Sequence, residues 1–284
     1  MTAEVLSRTL APVAPPPWWR QWGSLAHVAR SRVAMMFAYR NTMLLFLGVS
    51  VLQIFMLTRV WSALYAARPD VLAIPLPQLL VYLTVANLIS WSFPTHMVTM
   101  YLRERIREGA VVFDLVRPLG FVPQMAAHMV GALGGSMVII TMALPLILVA
   151  GSLRPPAGWA AAGLFVVSLL CGYAIAGMLA LLVGMIAFWT LEMDGLTMLY
   201  VLVAQFLSGA LVPLSAFPDG LRTVVQLLPF QATTYVPTSI YVGSLRGSDA
   251  LGAIGVQLVW VAVAALAVAL LWSRAVRRVV VQGG

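Results

Sequence analysis

The length of the apolar blocks constrains this chain more than any other feature. Six stretches, near 42–64, 76–100, 123–149, 158–187, 194–213 and 251–273, run almost without charge. A helix needs about 20 predominantly apolar residues to cross the hydrocarbon of a bilayer, and these blocks supply that length. Composition agrees: 62% of the residues are hydrophobic and 9% are charged, against about 45–50% apolar for soluble domains. A soluble fold of 284 residues has too little interior to hide so much apolar surface. The expected fold is all-α and polytopic, with six transmembrane helices.

Arginine placement sets the expected orientation. Arg8, Arg20, Arg30, Arg32, Arg40, Arg103, Arg105, Arg107, Arg117, Arg274, Arg277 and Arg278 fall on one side of the six-span layout; Arg68, Arg154, Arg222 and Arg246 fall on the other. The positive-inside rule puts the richer side, with both termini, in the cytoplasm. Pro94 and Pro145 lie inside expected spans and are expected kink points. Residues 1–41 read as a cytoplasmic N-terminal segment, 42–273 as the membrane domain and 274–284 as a short basic cytoplasmic tail. The first segment lacks a secretory signal. Its residues 18–40 cluster Trp18, Trp19 and Trp22 with arginines, as in an interfacial helix lying at headgroup level.

Several chemistries are excluded. All 17 basic residues are arginine, so the chain has no lysine for a phosphate-binding loop or a Schiff base. Any coupled ATP hydrolysis must reside in another polypeptide. The net charge of +8 is explained by topology, and a nucleic-acid partner is not expected. Cys171 is a lone cysteine inside an apolar run, read as a small core residue. His27, His96 and His128 are far apart and show no metal-ligand spacing, so no metal site is expected. The acidic residues fall in loops or at span ends, unlike the mid-membrane carboxylates of many ion-coupled transporters. Arg59 is the one charge inside the apolar zone, and the simplest reading lets it snorkel to the outer headgroups.

Three segments carry more than hydrophobicity. Residues 103–121 (RERIREGAVVFDLVRPLGF) form the one substantial charged loop between spans. On a helix Arg103 and Arg107 share a face, as do Glu104 and Glu108, before Gly109 breaks the pattern. A solvated loop would look similar; the functional reading is a docking element for a cytoplasmic partner, with Glu104, Glu108 and Asp114 as anionic contacts. Residues 208–247 are apolar yet punctuated by Pro213, Pro218, Pro229 and Pro237. The pieces between are too short to span, which points to a re-entrant or interfacial pair of helices before the last span. Ser168, Gly172, Ala176, Ala180 and Gly184 recur every four residues, the small-residue stripe of close helix packing.

This layout resembles the permease subunits of type-2 ABC exporters, and specifically the bacterial ABC-2 family transporter proteins. Two motifs carry the likeness. The first is the Asp-Leu-Val-Arg-Pro run at Asp114–Pro118 that closes the charged loop. The second is the pattern of Ser208, Gly209, Pro213, Leu214, Phe217, Pro218, Leu228, Pro229, Phe230 and Pro237. The resemblance implies a multi-pass protein of the bacterial cytoplasmic membrane that is not itself an enzyme. It implies a cytoplasmic ABC ATPase subunit binding ATP and magnesium, and a second six-span permease, identical or homologous, alongside membrane lipid. By that likeness Arg103, Glu104, Arg107, Glu108, Asp114, Arg117 and Pro118 form the ATPase-coupling loop, and the 208–237 segment forms an extracellular gate. The implied cargo is a drug, antibiotic, lipid or similar amphipathic molecule. The competing reading is an ion-coupled secondary transporter; a membrane-embedded enzyme would need a catalytic constellation that these residues do not supply.

Overall fold

The computed structural model describes residues 23, 26–31, 34, 40–68, 74–93, 95–116, 121–150, 152–190 and 193–282. Among them every regular element is helical and there is no strand. The chain forms an all-α polytopic membrane protein, built from α1 (Arg40–Ala67), α2 (Leu76–Ser92), α3 (Thr95–Arg107), α4 (Val111–Val116), α5 (Phe121–Ala150), α6 (Trp159–Met185), α7 (Asp194–Leu207), α8 (Asp219–Gln226), α9 (Tyr235–Tyr241) and α10 (Gly247–Gln282).

Five helical stretches among the described residues are long and apolar enough to cross a bilayer: Leu44–Ala67, Leu76–Arg107, Phe121–Met142, Trp159–Phe188 and Gly247–Arg277. The second comprises α2 and α3. Helix α2 stops at Ser92 because Phe93 is extended, at φ −74° and ψ 132°, as steric clash demands of a residue before proline. Pro94 itself lies outside the described residues, as do Trp18, Trp19 and Trp22 of the expected interfacial helix; residues 26–31 of that segment are helical. Pro145 sits inside α5. The last helix continues through the expected basic tail to Gln282.

The expected span at 194–213 differs. Its helix, α7, has 14 residues and rises only about 21 Å, short of the roughly 30 Å hydrocarbon layer. The chain leaves it through Ser208 and turns at Gly209, whose φ of +79° is a left-handed conformation that glycine adopts without penalty.

Helix α6 is the hub, packing against α10, α3 and α9, while α1 lies against α2 and α5. One buried cluster joins Leu102, Phe121, Met125, Met129, Tyr173, Leu181, Met185 and Val268, with Phe121 stacked on Trp272 at 3.8 Å between ring centroids. A second, at the other end, joins Trp61, Tyr65, Leu79, Tyr82 and Leu83. Outside these clusters large apolar side chains are exposed along whole helix faces, among them Leu52, Val60, Leu258 and Leu266. Lipid tails can cover such faces at no cost, whereas water could not.

Candidate functional site: the charged loop and the broken segment

The charged loop is a helix end followed by a strapped-down turn. Helix α3 carries the charges to Arg107 and closes at Gly109, which has φ +68° and no neighbour where a Cβ would stand. The chain then doubles back as α4. Val111 is buried in the cluster around α6. Asp114 is 1% exposed and is held by a two-pronged ion pair: Arg105 donates through Nε at 2.8 Å and through Nη2 at 2.6 Å. Gln124 of α5 adds a 3.4 Å bond from Nε2. Planar guanidinium matches carboxylate in this way, which gives geometric definition as well as attraction. Asp114, offered by the sequence as an exposed contact, is thus an internal anchor of the loop.

Arg103 makes the other connection. Its guanidinium grips both carboxylate oxygens of Asp194, one of them at 2.8 Å. Asp194 opens α7, where the helix dipole favours negative charge. The pair therefore ties the end of α3 to the start of α7. Glu104, Arg107 and Glu108 are exposed, and so is Phe113 at 70%. Phe113 was not singled out from sequence; with Val111 and Asp114 held inward, it is a large apolar side chain that α4 turns outward. Arg117 and Pro118 lie outside the described residues.

The proline-punctuated segment forms two short helices with different surroundings. After Gly209, Pro213 starts a 3-10 turn at Leu214–Ala216 and Pro218 precedes α8, the place where a missing N–H costs nothing. Arg222 of α8 closes the turn, donating to the carbonyls of Leu214, Ser215 and Phe217 at 3.3, 3.0 and 3.0 Å. Phe217 stacks on Phe206 at 5.0 Å. Helix α8 keeps Val225 buried and leaves Leu221, Val224 and Leu227 exposed, as suits a helix at an apolar boundary. Helix α9 is interior instead: Val236, Pro237, Thr238, Ser239 and Ile240 are buried, against α6, α2 and α10.

The turn that leads into α9 reaches deep. Gln257 of α10 is fully buried, and its Nε2 donates to the carbonyl of Ala232 at 2.6 Å and to that of Ser168 at 3.1 Å. It lies ten residues into α10, about 15 Å from that helix's start. Pro229 and Ala232 are buried and Phe230 is half-buried, so protein covers most of this non-helical backbone, as an apolar setting requires. Tyr82 does the same for the upper turn, donating its hydroxyl to the Gly209 carbonyl at 2.9 Å. Neither Gln257 nor Tyr82 was marked from sequence. A signal existed for Gln257, since a lone amide within an apolar span is costly unless it has a partner.

The small-residue stripe faces into this chain. Ser168, Gly172, Ala176, Ala180 and Gly184 are all buried. A Cβ on Gly172 would stand 2.5 Å from the Thr233 carbonyl oxygen, and one on Gly184 would meet Leu102 at 3.2 Å. The stripe thus seats the buried turn at one end and α3 at the other. Among the described residues no three His, Cys, Asp or Glu side chains gather as a metal-binding group.

The described residues thus form a helical membrane bundle with a charged loop clamped to it and a buried proline-broken segment. The profile of the ABC-2 family transporter proteins matches residues 51–283, and the chain belongs to that family. No curated protein shows a significant match. Membership makes this chain a membrane component of an ABC transporter, a class that works with an ATPase partner.

Proposed function

We propose that the chain is the permease subunit of an ABC exporter in a bacterial cytoplasmic membrane, with both termini on the cytoplasmic side and with α7 and the turn after it, running from Arg103 to Tyr82, as the sixth crossing. It pairs with a second permease and carries a drug, antibiotic, lipid or similar amphipathic molecule. Hydrolysis of ATP occurs on a separate cytoplasmic subunit, consistent with a chain that lacks lysine. Residues 103–118 receive the ATPase motion, and the 208–237 segment acts as the outer gate.

The Arg103–Asp194 clamp is the observation that carries this reading. Force applied at the end of α3 would pass directly to α7, the helix that runs into the gate segment. The exposed face beside it, Glu104, Arg107, Glu108 and Phe113, has the make-up of a docking surface: an apolar knob among charges. Single exposed ion pairs contribute only about 0–1 kcal/mol, so one alanine substitution is a weak probe. Glu104→Arg with Glu108→Arg replaces attraction with repulsion and adds charge on the side already rich in arginine. Normal membrane insertion, weakened co-purification with the ATPase and lost export are expected. Unchanged co-purification together with unchanged export would remove these acids from coupling.

A further inference from the structure

Arg59 is placed where a cation has no ordinary reason to be. It stands in α1, eight residues before Ala67, so its Cα is about 12 Å from that end of the helix. Snorkelling to the nearer headgroups requires the side chain to extend toward Ala67. It turns the other way: Cζ lies 5.0 Å from the centroid of the Phe55 ring, one turn deeper. Arg59 is exposed there, on a face whose neighbours Leu52, Phe55, Met56 and Val60 are also exposed and apolar. A cation on an aromatic face gains about 0.5–2 kcal/mol, far from a full counter-charge in hydrocarbon. Among the described residues no ion pair reaches it. An anion that carries its own apolar chain would complement both the charge and the apolar face around it.

We propose that Arg59 is a head-group subsite for an anionic amphiphile. Its guanidinium pairs with a phosphate or carboxylate, in the two-pronged geometry that Lys cannot reproduce, while an acyl chain lies along Leu52, Met56 and Val60. A membrane phospholipid and a single-chain cargo share this chemistry. The inference rests on membrane insertion and not on the export mechanism.

Native mass spectrometry of the chain in nanodiscs of phosphatidylcholine doped with phosphatidylglycerol tests it. Wild type should retain phosphatidylglycerol above its bulk fraction. R59L should lower that affinity about tenfold or more, the loss expected when a charge-assisted hydrogen bond is removed. R59K should lower it several-fold, and R68L, at the helix end, should leave it unchanged. Should R59L fail to insert, R59K decides: no fall in its retained phosphatidylglycerol overturns the proposal. Dodecyl phosphate in phosphatidylcholine discs separates the sources. Arg59-dependent retention of phosphatidylglycerol alone assigns resident lipid, and Arg59-dependent retention of dodecyl phosphate assigns a single-chain amphiphile. Absence of both in wild type, or equal retention by R59L, overturns the site.

Discussion

The Gln257 amide and the Ala232 carbonyl meet at 2.6 Å, across 25 residues of sequence and in the buried interior of the helix bundle. This contact gives a non-helical backbone carbonyl a donor where water is absent. Gln257→Leu keeps the volume and removes the donor. The orphaned carbonyl should cost about 1–3 kcal/mol, lowering the melting temperature of the detergent-solubilised chain. Gln257→Glu, which presents acceptors in place of the donor, should be at least as unstable at neutral pH. An unchanged melt for both would show that the turn finds another donor.

Gly172 and Gly177 should respond differently to the same methyl group. At Gly172 the added Cβ meets a backbone carbonyl at 2.5 Å; at Gly177 it meets the Met129 Sδ at 2.6 Å. A methionine side chain can swing aside, whereas the Thr233 carbonyl belongs to a turn wedged between helices. Gly172→Ala is expected to destabilise by about 1–3 kcal/mol, and Gly177→Ala by clearly less. Denaturation of the two variants side by side in the same detergent compares them.

The two ion pairs of the charged loop separate stability from coupling. Asp114 is buried but Arg105 is partly exposed, so Asp114→Ala removes the charge-assisted bonds without stranding the guanidinium inside the fold. A loss of about 1–3 kcal/mol is expected, read as a lower melting temperature of the detergent-solubilised chain.

Asp194 is 69% exposed, and its pair with Arg103 is worth only about 0–1 kcal/mol of stability. Arg103→Asp and Asp194→Arg should therefore leave the melt nearly unchanged while reducing export-linked ATP turnover of the assembled transporter. The exchanged double variant, Arg103→Asp with Asp194→Arg, should recover much of that turnover. Equal loss in all three would show that the residues act separately.

The long spans could be read directly because lipid demands only length and low charge, which a sequence displays residue by residue. The prolines at 213, 218, 229 and 237 likewise announced short pieces, and α8 and α9 are those pieces. The stop of α7 at Leu207 was hidden. Ala210, Leu211 and Val212 continue the apolar run, and Gly209 becomes a turn in a setting where Tyr82, 127 residues away, takes its carbonyl. Asp114 was misplaced for a related reason. An acid in a charged loop looks solvated until the reversal at Gly109 brings Arg105 and Gln124 around it. The small-residue stripe revealed close approach but not its partner, because nothing in a glycine names the Thr233 carbonyl that fills the space.

The buried turn also has a biosynthetic consequence. Ala232 leaves the ribosome before Gln257 does, and until the last helix enters the membrane its carbonyl lacks the donor found in the finished bundle. The 229–241 stretch therefore cannot settle in the order in which it is made. The bundle must wait, partly open, until α10 brings Gln257 to the Ala232 carbonyl, so insertion of α10 is the step that closes this seat.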